Sequence, residues 1–147
     1  MGNISYSQLN CFHQCNLKWK LDYIDKQKVF EPNIHLIFGN AMHDVLQFYL
    51  KIMFSESAQK ANSYDLYTLL EARMRFYYEE EFKKSNEHFS THKEMKEFFE
   101  DGIKIIDYFK EKRGKYFNKK EFELIGTEVP LKIKIKENID FIGYLDV

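Results

Sequence analysis

The residues best suited to chemistry are a few carboxylates, one histidine, a basic tract and two cysteines. The run from Ile139 to Val147 is apolar enough to lie inside a sheet, yet it carries Asp140 and Asp146. A carboxylate beside Tyr144, Leu145 and Val147 is costly to bury unless something pairs with it or binds to it, and a divalent metal ion is one such partner. His43 falls on the margin of an apolar helical stripe, neither central nor on the Asp44/Gln47/Lys51 face. Margins line clefts, so this imidazole reads either as a structural residue or as a ligand. Lys110 to Lys120 holds six basic residues against one acidic, with Tyr116 and Phe117 among them. Lys110, Lys112, Arg113, Lys115, Lys119 and Lys120 could track a phosphate backbone while Tyr116 stacks on a base. The plainer alternative is an exposed helix end whose cations complement the helix dipole. Cys11 and Cys15 stand one turn apart and read as two small hydrophobes, since a metal role needs further soft ligands and the chain has no other cysteine.

These residues need elements to hold them. Ser5 to Tyr23 is predicted as a first helix, opened by Ser5 and Gln8 as a capping box. Asp25 to Ile34, with Glu31-Pro32-Asn33, reads as a polar connector. A second helix is predicted from about Phe38 to Phe54, where Phe38, Met42, Val45, Leu46, Tyr49, Ile52 and Met53 form one apolar stripe. Ser55 to Ser63 reads as a linker, and Tyr64 to about Lys84 as a third helix. A fourth opens at Thr91 or His92 and runs to about Tyr116. Leu124 to Lys136 then reads as a strand, in which Leu131, Ile133 and Ile135 alternate with Lys132, Lys134 and Lys136 as on a half-buried surface. Glu137-Asn138 forms the turn into a second strand, Ile139 to Val147. Helices first and strands last predict an α+β domain: residues 1–120 mainly helical, 121–147 a β-hairpin.

The totals narrow the classes. With 147 residues the chain is one domain's worth, and 22 Lys+Arg against 23 Asp+Glu leave a formal charge of -1, so any nucleic-acid-binding field must be local. Two cysteines make no disulfide framework, which suggests a reducing, cytoplasmic setting. No basic-then-apolar leader stands at the N-terminus and no apolar run nears 18 residues, so neither secretion nor a membrane-spanning helix is expected.

Three segments together resemble the RecB-like branch of the PD-(D/E)XK nuclease superfamily. This branch includes the nuclease domains of helicase–nuclease complexes, CRISPR-associated exonucleases and phage exonucleases. Ser5 to Trp19, S-Y-S-Q-L-N-C-F-H-Q-C-N-L-K-W, is similar to an opening helix S-x-S-x-L-x-x-F-x-x-C-P-x-x-[YW], with Asn16 where proline is usual. Phe38 to Tyr49, F-G-N-A-M-H-D-V-L-Q-F-Y, resembles the G-x-x-x-H helix. Glu128 to Asp146 resembles the E-x-P-[LF]…G-x-[IL]-D hairpin. The resemblance implies a restriction-endonuclease-like core of which the first antiparallel strands are present, and a metal-dependent DNA nuclease acting as an exonuclease in DNA repair or recombination. It implies His43 and Asp146 as ligands of Mg²⁺ or Mn²⁺, with Glu128 as a helper on the neighbouring strand.

The resemblance also implies a following [D/E]-x-K strand, which the sequence does not reach. Two ligands and waters make a poor cage for magnesium, and no lysine assists the attacking water. The expectation is half a site and little activity for this chain by itself, with a protein partner or a C-terminal half completing the sheet. Cys15 matches the first cysteine of a [4Fe–4S] cluster found in some members, a cofactor only for a longer parent. The alternative function is a nuclease-like module that binds nucleic acid or protein without catalysis.

Overall fold

The computed structural model describes residues 2–27, 31–117 and 122–146, with Asp146 in backbone only. The chain forms two compact units, Met1–Glu31 with Ile125–Val147, and Pro32–Leu124.

The first unit is built on a three-stranded sheet of order β1-β3-β2. Strand β1 (Gly2–Ser5) runs parallel to β3 (Ile139–Asp146), which pairs antiparallel with β2 (Glu128–Lys136). The hairpin is as expected, but the sheet is mixed, because the N-terminal residues add a parallel strand. Strand β2 begins at Glu128 rather than Leu124, and Pro130 is tolerated there because β2 is an edge. The expected burial of its apolar row is not found: Leu131, Ile133 and Ile135 are all exposed. No packed layer covers that row among the described residues.

The predicted first helix is three pieces: α1 (Tyr6–Gln14), α2 (Asn16–Trp19) and a π-helical turn (Lys20–Ile24). Ser5 caps α1 by accepting from the Gln8 amide at 3.3 Å. The break falls at Cys15, whose extended backbone (φ −159°, ψ 108°) ends one helix while its Sγ accepts from Lys18 N at 3.5 Å to open the next. Phe12 and Trp19 then meet edge to face at 5.2 Å.

The second unit is all helical: α3 (Ile34–Ser55), α4 (Ala58–Asn62), α5 (Leu66–Ser85) and α6 (His92–Phe117). Helix α3 starts four residues before the predicted Phe38 because Asn33, assigned to a connector, is its cap and accepts from Leu36 N at 3.0 Å. The expected linker contains α4, tied to α3 where the Tyr49 hydroxyl donates to Asn62 Oδ1 at 2.9 Å. Thr91 and Glu94 form the capping box that opens α6: Thr91 N donates to Glu94 Oε2 at 2.8 Å and Glu94 N to Thr91 Oγ1 at 3.2 Å. The bonds that Thr91 N and Thr91 Oγ1 donate to Glu94 Oε2 hold that carboxyl below its ordinary range.

Ile37, Ala41, Val45 and Tyr49 of α3 meet Leu66, Leu70 and Met74 of α5 and Ile106 of α6 in one buried core. Gly102 lets α6 approach that core closely. A Cβ at this position would lie 2.5 Å from Leu70 Cδ2 and 3.2 Å from the Phe38 ring. Leu70 is fully buried, so it has little room to yield. Gly102→Ala is therefore expected to destabilise the protein by about 1–3 kcal/mol in urea titrations. Gly114→Ala in the same helix, with open space around it, should instead stabilise by up to about 1 kcal/mol.

Candidate functional site

Within the sheet unit, the β2–β3 register sets Glu128 opposite Asp146, Pro130 opposite Tyr144, Lys132 opposite Ile142 and Lys134 opposite Asp140. Opposed residues on antiparallel strands carry Cβ atoms about 4.5–5.5 Å apart. Two carboxylate-bearing residues thus share one rung at the end of the hairpin. That donor set suits a hard divalent cation, because Mg²⁺ and Mn²⁺ prefer oxygen ligands. Sequence reasoning treated Glu128 as a helper, and the ladder makes it the direct cross-strand neighbour of Asp146.

Asp140 has a different fate. It is only 2% exposed, on the central strand, and Lys132 Nζ lies 2.9 Å from its Oδ2. Oδ2 lacks a well-directed hydrogen bond, so the contact is held by charge. Its partner is a lysine of the neighbouring strand, reaching diagonally across the ladder.

In the helical unit, His43 is half-buried on α3. The Gln47 amide nitrogen, one turn on, lies 3.1 Å from Nδ1 and 3.2 Å from Nε2. A nitrogen nearly equidistant from both cannot lie in the ring plane without striking the carbon between them, so it sits over the ring face. Asp44, the next residue, is engaged with α5: it accepts from the Tyr77 hydroxyl at 2.8 Å and lies 3.4 Å from Arg73 Nε.

The basic tract divides by direction around α6, at about 100° per residue. Lys110 and Arg113 turn toward neighbouring helices: Lys110 Nζ lies 5.7 Å from the Tyr67 ring centre, and the Arg113 guanidinium 5.8 Å from that of Tyr49. Lys112, Lys115 and Tyr116 cluster on another side, with Lys112 beside Glu111 and the Tyr108 ring and Lys115 5.8 Å from the Tyr116 ring centre. Lys119 and Lys120 lie outside the described residues. Burial pushes the Tyr49 phenol above its ordinary value, while the Arg113 charge pulls it down less.

Cys15 is exposed and caps α2, and Cys11 is half-buried. Among the described residues no three His, Cys, Asp or Glu side chains converge as a metal cage, and no helix is long and apolar enough to cross a membrane. A cavity of about 630 Å³ is lined by none of the predicted site residues. It lies between α5 and α6, over Met74, Met95 and Phe99, with His88 and His92 at its rim.

A family model described as PD-(D/E)XK nuclease superfamily matches residues 3–147. No curated protein and no solved structure gives a significant match.

Two expectations follow. Lys132→Met strands a buried carboxylate and should destabilise by about 1–3 kcal/mol, less than for a fully buried pair because the lysine is partly exposed. Adding Asp140→Asn should recover most of that loss in urea titrations. For Tyr49, the folded state keeps a proton that the unfolded phenol releases, so stability falls as pH rises above the ordinary value of 10.0. Tyr49→Phe should make that alkaline slope shallower.

Proposed function

Because the chain belongs to the PD-(D/E)XK nuclease superfamily, we propose that it carries the metal-binding part of a RecB-like DNA nuclease domain that hydrolyses phosphodiester bonds, as an exonuclease working from DNA ends. Nucleases of this superfamily generally use divalent metals such as Mg²⁺. The observation that carries the reading is the Glu128–Asp146 rung, two oxygen-donor residues opposed on a hydrogen-bonded hairpin.

Asp146, with Glu128 in support, is assigned as a ligand of Mg²⁺ or Mn²⁺, and so, on α3, is His43. When bound, the ion activates water and stabilises charge on the phosphate in flight. Glu128 and Asp146 hold their donors on paired strands, a more rigid mount than a loop. Gln47, packed over the imidazole of His43, limits rotation of that ring. Lys110, Lys112, Arg113, Lys115, Lys119 and Lys120 are assigned to contact with the DNA phosphate backbone, which carries no sequence preference, and Tyr116 to stacking on a base. A [D/E]-x-K element, supplied by a partner or by further chain, completes the chemistry.

A second reading, a nuclease-like binding module without catalysis, draws on the lack of three converging donor side chains among the described residues.

Titration calorimetry with Mn²⁺ tests the assignment. His43→Ala and Asp146→Ala should each weaken binding at least tenfold, about 1.4 kcal/mol, and Glu128→Gln by less. Equal affinity in all variants would remove the metal site. A polypeptide of residues 1–147, given Mn²⁺ and labelled single- and double-stranded DNA, should leave both intact. Degradation that disappears in His43→Ala and Asp146→Ala would instead show these residues to be sufficient for cleavage.

A further inference from the structure

The hairpin has a face that neither the fold nor the metal assignment accounts for. Opposed residues share a face of a sheet, as do alternate residues along a strand. The rungs Lys134–Asp140, Lys132–Ile142 and Pro130–Tyr144 therefore lie along one side, Asp140 being buried there, and the Glu128–Asp146 rung follows directly after Pro130–Tyr144. Each step along this row is about 7 Å.

Tyr144 is the unusual member. It stands on the central strand, yet 69% of it is exposed. Strand β1 ends where Ser5 meets Ile142, so among the described residues the sheet is two strands wide at Tyr144, with Pro130 as its cross-strand neighbour. The result is an exposed flat ring one rung from the carboxylate pair. Lys134 is exposed two rungs further on, beyond Lys132, whose charge is already committed to Asp140.

We propose that this face of the hairpin guides a single strand of nucleic acid, with one unpaired base stacked on Tyr144 and a backbone phosphate against Lys134, leading the strand toward Glu128 and Asp146. The inference rests on the nuclease reading and adds the residues that position its substrate. Stacking selects a single strand because the flat face of a base is open only when the base has left its own stack. An acidic peptide would meet the lysine but has no use for the ring.

The test is fluorescence anisotropy of a labelled oligothymidylate with the 147-residue chain in EDTA, so that no metal-dependent step contributes. Tyr144→Ala should weaken binding roughly 5- to 150-fold, and Tyr144→Phe should bind as the parent does. Lys134→Gln should lower the slope of log affinity against log salt by about 0.7, one phosphate contact to a single strand. Unchanged affinity in Tyr144→Ala overturns the proposal. So does a duplex or a poly-glutamate peptide that competes as well as the oligothymidylate. Mn²⁺ calorimetry run in parallel separates the two claims. Metal binding retained with no effect of Tyr144→Ala sinks the strand-guiding face alone, whereas absent metal binding sinks the nuclease reading.

Discussion

The ion pair between Lys132 and Asp140 is the constraint on which the sheet depends. A carboxylate only 2% exposed on the central strand must have a countercharge, and a single lysine on β2 supplies it. Sliding β2 by one residue would turn Lys132 to the opposite face and leave the carboxylate unpaired. The pair therefore fixes which face of β2 turns toward Asp140, the face on which the ladder sets Glu128 against Asp146 and Pro130 against Tyr144. Apolar packing cannot do this alone, since Leu131, Ile133 and Ile135 remain exposed. A charge pair that adds little net stability can still select one alignment from several.

The helical unit rests on different physics. Its core is a continuous apolar seam, and its helices are started by side chains that satisfy free backbone donors: Asn33 for α3, Asp65 for α5, and Thr91 with Glu94 for α6. Those signals are local, so much of this unit could be read from spacing and capping residues. The long helices fall within a few residues of their predicted bounds, and α3 departs most because Asn33 was taken for a connector.

What the sequence hid was non-local or marginal. Strand β1 has four residues, too few for a period, and it exists only because β3, more than a hundred residues later, offers an edge. The break at Cys15 left no proline or glycine to mark it. The sequence raises the cost of burial for the carboxylate beside Tyr144, Leu145 and Val147, whereas the buried one is Asp140, whose pairing with Lys132 depends on a diagonal reach that only the register defines. The basic tract read as one surface, yet the turn of α6 sends Lys110 and Arg113 against Tyr67 and Tyr49 and leaves Lys112 and Lys115 elsewhere. The family pattern pointed to Glu128 and Asp146 separately. Their opposition on one rung became visible only with the ladder.

The proposed function rests on the hairpin's oxygen-donor rung, Glu128 opposite Asp146, holding a divalent ion. Paramagnetic broadening by substoichiometric Mn²⁺ in a ¹⁵N-labelled sample examines this most directly. The expected result is early, selective loss of the backbone amide signals of Glu128 and Asp146. Broadening centred on the α5–α6 cleft, or spread evenly over the exposed carboxylates, would contradict it.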